Sequence, residues 1–276
     1  MPAPAASPAL ARVRASRYVQ PLREGGSLPA VVETDDGLYV VKFRGAGQGP
    51  KALVAELIVG LVADALGLAV PPLALVDVPE PFGRTEPDPE IQDLLRQSHG
   101  VNVGLRYLDG AFNFDVRAAG DLIDTAFATR LVWLDAFVTN PDRTHRNPNL
   151  LIWERRPWLI DHGAALYAHH DWAAVDAERM RTSFPLIRDH VLLDRSGDLE
   201  AVDAAATAAL DAGTIGRILA QVPDELLAPA EPAGARARYL EYLAARLASS
   251  RTFVAEAISA RARRQREAPK RLGARR

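Results

Sequence analysis

The chain has 276 residues, with 33 basic and 35 acidic side chains, 48% hydrophobic residues and no cysteine. That balance excludes disordered and fibrous chains, disulfide scaffolds, thiolate catalysis and cysteine-ligated metals, and it supports a sizeable core. No segment has the roughly 20 uninterrupted apolar residues of a membrane span, because the longest apolar stretch, residues 57–76, is cut by Asp64, Pro71 and Pro72.

Residues 1–15 are rich in Ala and Pro and lack a continuous apolar core, so they read as a disordered arm and not a secretory signal. Residues 16–44 alternate apolar and polar positions between turn signals, with Asp36-Gly37 as a hairpin turn. They predict two or three antiparallel strands, with Gly25, Gly26 and Ser27 in the first connection and Lys42 near the end of the last strand. Residues 51–66 have helical spacing and end near Gly67, and PLALVDV is strand-like. Residues 79–98 predict a Pro-rich acidic connection, and VNVGLRYL a further strand. The segment 121–138 predicts a helix and is followed by a polar loop, TNPDRTHRNPN. Two short apolar runs, LLIW and PWLIDHG, then predict a hairpin. From about residue 171 the pattern is helical and Ala-rich, over 198–220 and 236–260, with PDELL and EPAG as connections.

This order predicts an α+β fold with two lobes. The first, 16–108, is β-rich with one key helix, and the second, 109–260, is mainly helical. Residues 261–276 carry eight bases and one acid, leaving residues 1–260 near −9. They read as a solvated basic tail; with no aromatic residues interleaved for base stacking, nucleic acid is not an expected partner.

The polar loop carries the most chemistry. Asp142 is followed five residues later by Asn147, and Asp161 lies next to His-Gly at the far end of the predicted hairpin. Phosphoryl transfer requires a carboxylate that orients the attacking hydroxyl and accepts its proton, and oxygen ligands that hold Mg²⁺ against the phosphates; one Asp and an Asn plus Asp pair supply both. Upstream, Lys42 is one of only three lysines in the chain and sits in the strand VVKF, while Glu56 lies one turn inside the following helix. A strand lysine on the phosphates, held by a glutamate from the next helix, completes a kinase arrangement in the right order. Taken singly, each of these residues also suits a turn, an outward-facing strand lysine or a solvated helix face.

The segments YVVKFRGAGQGPKALVAELIVGLVADALGLAVPP, VNVGLRYLDGAF, DAFVTNPDRTHRNPNLLIW and WLIDHGAAL resemble the HipA-like kinases, a bacterial branch of the protein-kinase-like fold. The resemblance covers residues 18–166, and Asn140, Asp142, Asn147 and Leu150-Leu151 reproduce the family's catalytic loop without a gap. It implies that Lys42 contacts the phosphates of ATP, that Glu56 orients Lys42, that Asp142 is the catalytic aspartate, and that Asn147 and Asp161 bind Mg²⁺. Asn149 ranks second as a metal ligand, since its spacing from Asp142 is two residues too long. Backbone groups around Leu105, Arg106, Tyr107 and Leu108 would read the adenine edge. No GxGxxG loop precedes Lys42, so the Gly25-Gly26-Ser27 connection would cover the phosphates. Only about fifteen residues precede the first predicted strand, so the additional N-terminal subdomain of the HipA toxins is not evident and toxin function is not carried over.

The remaining motifs are weaker. RGAGQGPK fails the Walker A and dinucleotide patterns and reads as a mobile connection. His162, His169 and His170 match no common metal-ligand spacing and read as structural, whereas His145 lies inside the loop within reach of the transferred phosphate. Trp133, Trp153 and Trp158 read as packing residues. The function implied is an ATP- and Mg²⁺-dependent cytoplasmic kinase acting on a hydroxyl, that of a protein Ser/Thr, with no membrane partner. A small-molecule kinase and a nucleotide-binding pseudokinase or partner-binding module are the alternatives.

Overall fold

Five strands close into a barrel in the order β1 (Ala11–Pro21), β2 (Ala30–Thr34), β3 (Gly37–Lys42), β5 (Gly100–Arg106), β4 (Leu73–Val78). This computed structural model describes residues 9–22, 28–47, 49–84, 86–248 and 251–267. Strand β1 pairs antiparallel with β2 and parallel with β4, Ala11 to Arg14 lying opposite Ala74 to Asp77. Closure begins at Ala11, inside the segment expected as a disordered arm, because the parallel ladder to β4 satisfies backbone groups that would otherwise need water. Residues 1–8 lie outside the described residues. Alternate residues Val13, Ala15, Val32, Tyr39, Val41 and Val76 fill the barrel. Gly104 is required there, since a Cβ would stand 2.7 Å from Val76 Cγ2.

The connection predicted over 79–98 contains a helix, α2 (Pro89–Gln97). Asp88 caps it by accepting from the Glu90 N–H at 3.0 Å, and Pro89 stands at the first turn. Its Ile91, Leu94 and Leu95 face the barrel core. An Asp-Pro pair thus starts a helix where composition suggests a loop.

Helix α1 (Pro50–Ala65) is buried along Leu53 to Ala63, so it has no solvated face on which Glu56 could sit. Its apolar residues and those of α4 (Thr125–Phe137) belong to one continuous apolar cluster. A short helix α3 (Val116–Ala119) and a 3₁₀ turn precede α4, which starts at Thr125 because the Asp124 carboxylate caps the Phe127 N–H at 2.6 Å. The hairpin of β7 (Leu150–Trp153) and β8 (Arg156–Leu159) gains a third strand, β6 (Phe112–Asn113).

The helical remainder begins with 3₁₀ turns between Tyr167 and Arg195, followed by α5 (Leu199–Ala209), α6 (Ala212–Ala220), α7 (Asp224–Leu227), α8 (Pro232–Leu247) and α9 (Thr252–Glu267). Two expected connections are helical: PDELL forms α7, and EPAG opens α8, with Glu231 as its cap and Pro232 in its first turn. The basic segment from 261 is helical to Glu267, and residues 268–276 lie outside the described ones. No helix among the described residues is long and apolar enough to cross a membrane.

Trp133 joins the helices around α4. It stacks on Phe137 at 5.1 Å, meets Phe253 edge-on at 5.7 Å and donates from Nε1 to Asp203 at 2.9 Å. Trp133→Ala should therefore lower stability by about 3–5 kcal/mol, read from urea unfolding; a loss below about 1 kcal/mol would contradict this anchoring. A second anchor is His169, fully buried, 2.9 Å from the Tyr239 hydroxyl, its backbone carbonyl accepting from Lys51 Nζ at 2.6 Å. Burial, then His170 and Lys51, lower its pKa from 6.5 to about 3. Between those values only the unfolded chain binds the proton, so stability from this group is present above pH 6.5 and declines as the pH falls toward 3. Acidification from about pH 7 to about pH 5 should cost roughly 2 kcal/mol at this site. Urea midpoints at the two pH values should differ less in His169→Phe, and an unchanged difference would remove His169 as the cause.

Candidate active site

Lys42, at the end of β3, is 8% exposed and points between two carboxylates. Its Nζ lies 2.6 Å from Glu56 Oε2 and 2.5 Å from Asp161 Oδ1. Glu56 is wholly buried in α1, and its Oε2 also accepts the His162 N–H at 2.7 Å. One oxygen therefore ties the β3 lysine to the backbone beside Asp161. Burial opposes the ammonium of Lys42, but Glu56 and Asp161 outweigh it and hold its pKa above the ordinary value. Burial also opposes the Asp161 carboxylate, and Lys42 overcomes it, holding that pKa below its ordinary value. Neither Lys42 nor Glu56 has the solvated position that each residue alone would also have suited.

The polar loop is held from beneath. Asp135, on the buried side of α4, accepts from Arg143 Nε at 2.6 Å, from Asn140 Nδ2 at 2.9 Å, and lies 3.0 Å from His190 Nε2. Burial would raise its pKa, but Arg143 and His190 hold it down at about 2. Asn140 in turn accepts the Asp142 N–H at 3.1 Å. Arg143 donates to the Asn149 carbonyl and lies 3.3 Å from His162 Nδ1. Burial and Arg143 lower the His162 pKa to about 3, so that ring is neutral at physiological pH. Asp135, Arg143 and His190 escaped the sequence reading, although an acid inside the apolar run LVWLDAFV is itself a signal that a buried partner exists.

This frame brings Asp142, Asn147, Asn149 and Asp161 together. Asp142 Oδ2 accepts from Asn147 Nδ2 at 2.8 Å and from Asn149 Nδ2 at 3.1 Å. Asn149, ranked second from spacing, is the more buried of the two asparagines and also reaches the Asp161 carbonyl at 3.5 Å. Asn149 and Asp161 have left-handed backbones, φ 49° and 57°. Asn and Asp tolerate that region better than most residues, which suits them to this bend. The carboxylate and amide oxygens of these residues are hard donors of the kind that suits Mg²⁺.

A cleft of about 1050 Å³ runs between barrel and hairpin, lined by Lys42, Leu105 to Leu108, Asp142, Asn147, Asn149 and Asp161. Around the expected adenine edge, the Arg106 N–H donates to the Pro72 carbonyl and the Tyr107 N–H to the Leu38 carbonyl, both at 2.9 Å. Those two N–H groups are engaged within the protein, while the Leu108 N–H has no acceptor among the described residues. Gly25, Gly26 and Ser27 lie outside the described residues. In RGAGQGPK, Ala46, Gly47 and Gly49 line the cleft, and Gly49 (φ 67°) lies just ahead of α1. His145 is exposed, with Nε2 3.2 Å from Arg264 Nη2. No group of three or more His, Cys, Asp or Glu able to hold a metal occurs among the described residues, and the expected metal site combines acids with amides.

The family model for HipA-like kinase matches residues 17–249. Among solved structures, the crystal structure of a Helicobacter pylori proinflammatory kinase, CtkA, is similar with a TM-score of 0.55. The two are 12% identical, over 95% of this chain and 99% of that one, a likeness of fold. No curated protein matches. The matched span holds every residue from Lys42 to Asp161 described above, and the chain belongs to the HipA-like kinase family.

Proposed function

We propose that this kinase is an ATP- and Mg²⁺-dependent cytoplasmic phosphotransferase that moves the γ-phosphoryl group of ATP to the hydroxyl of a protein serine or threonine. The observation that carries this reading is the meeting in one cleft of Lys42, braced by Glu56 and Asp161, with Asp142, braced by two asparagines. In this reading the barrel region and the helical region are the two lobes, and the cleft between them takes the nucleotide.

Each residue has a role that follows from its contacts. Asp142 orients the acceptor hydroxyl and takes its proton as the new oxygen–phosphorus bond forms and the bond to the β-phosphate bridge breaks. Asn147 and Asn149 hold its carboxylate in place. Glu56 fixes the position of Lys42, whose ammonium would contact the phosphates. The Leu108 N–H is the group left to meet the adenine edge. Asp161, with Asn147 or Asn149, would hold Mg²⁺, which neutralises charge on the phosphates. A small cationic acceptor fits poorly, because Arg146 lines the cleft beside Asp142.

A ligand that binds only the folded chain raises the melting midpoint, by about 2.7 kcal/mol of stability at a hundredfold excess over Kd. Thermal unfolding with ATP and Mg²⁺ should show that rise, and Asp161→Ala should lose it. Lys42→Met should weaken it. Asp142→Ala should keep nucleotide binding and lose transfer from labelled ATP by a hundredfold or more, about the contribution of a general base. Wild-type turnover in Asp142→Ala would show that the reaction does not use this loop, and no midpoint rise with the wild-type chain would leave the partner-binding alternative.

A further inference from the structure

Arg146 is an exposed arginine in the middle of the loop, between Asp142 and Asn147, and it lines the cleft with them. Its guanidinium makes no hydrogen bond or ion pair among the described residues. Neighbouring arginines are engaged: Arg143 is buried against Asp135, Arg188 lies 3.6 Å from Asp189, and Arg264 pairs with Asp194 at 2.7 Å. Arg264 also donates to the carbonyls of Arg188 and His190 at 3.2 and 3.0 Å and approaches His145 at 3.2 Å. The C-terminal part of α9 therefore packs on the same loop that carries Asp142. Two residues on, Arg266 is exposed and likewise without a partner among the described residues. Residues 268–276 follow with four bases and no acid, in a chain whose first 260 residues sum to about −9.

Resting on the kinase reading, we propose that the acceptor is an acidic polypeptide segment, its carboxylates read by a cationic surface made of Arg146 and the C-terminal end of α9. A planar guanidinium left free beside the reaction centre matches a carboxylate in two parallel hydrogen bonds. The charges of Arg146 and Arg266, unpaired among the described residues, with the bases that follow in sequence, speed encounter with an anionic partner against the acidic body of the chain. Nucleic acid is the less suited anion, because no aromatic residue follows Phe253 to stack on bases.

The test titrates the full chain into a fluorescein-labelled peptide with one serine flanked by glutamates. A lysine-flanked peptide of equal length and a single-stranded RNA of equal charge run in parallel, read by anisotropy, and Mg·ATP affinity is measured by calorimetry on the same preparations. The acidic peptide should bind and the basic one should not. Arg146→Glu should weaken acidic-peptide binding by about tenfold, and Arg266→Glu, at a residue that does not line the cleft, should weaken it by a smaller factor with Mg·ATP affinity retained. No binding of the acidic peptide, or equal binding by Arg146→Glu, overturns the proposal. Tighter binding of the RNA overturns it in favour of nucleic acid, and lost Mg·ATP affinity in Arg146→Glu assigns this arginine to the nucleotide instead. Acidic-peptide binding by a chain that does not bind Mg·ATP would support the surface and sink the kinase reading.

Discussion

A single carboxylate oxygen, Glu56 Oε2, connects the parts of this molecule that must act together. It accepts from Lys42 of the barrel at 2.6 Å and from the His162 N–H beside Asp161 at 2.7 Å, while Glu56 itself belongs to a helix buried along most of its length. A charge in so dry a position is costly unless paired and hydrogen-bonded. Three segments are therefore brought to one point: β3, α1 and the turn after β8. Displacing α1 would take Glu56 away from both the Lys42 ammonium and the His162 N–H, so the helix and the two groups it aligns form one unit.

A second buried pair does the same for the loop. Asp135 and Arg143 are both sealed from solvent, and Arg143 adds contacts to the Asn149 carbonyl and to His162. The ring of His162 is neutral, so it can stand beside the Arg143 guanidinium without like-charge repulsion. The two networks meet at His162, whose backbone joins Glu56 and whose side chain joins Arg143. Two of the left-handed residues, Asn149 and Asp161, lie here as well, where surrounding contacts hold an uncommon conformation.

Above this rigid floor the surface is asymmetric. Acidic side chains dominate most of the chain, whereas the end of α9 brings positive charge against the loop. An isolated basic run at a terminus means little by itself; the contact of Arg264 with His145, in the loop that carries Asp142, is what makes its first residues informative. The Arg264 contacts show how that placement arises, because α9 docks its arginine on the carbonyls of Arg188 and His190 beside the 3₁₀ turns.

Much of this was legible in the order of residue types. Alternation marked β2 and β3, helical spacing marked α1 and α4, and the order of Lys42, Glu56, Asp142, Asn147 and Asp161 marked a kinase before any contact was known, because phosphoryl transfer demands those chemical types in that sequence of elements. Local composition misled where capping chemistry mattered: Asp88-Pro89 and Glu231-Pro232 start helices, since a carboxylate caps N–H groups and proline needs none. Closure of the barrel through the parallel β1–β4 pairing, the meeting of both Asn147 and Asn149 with Asp142, the buried Asp135–Arg143–His190 frame and the docking of α9 on the loop depended on tertiary structure. These are contacts between residues up to 119 positions apart. Spacing along a chain reports what one element can present, but which element it will face is decided only when burial forces each polar group to find a partner.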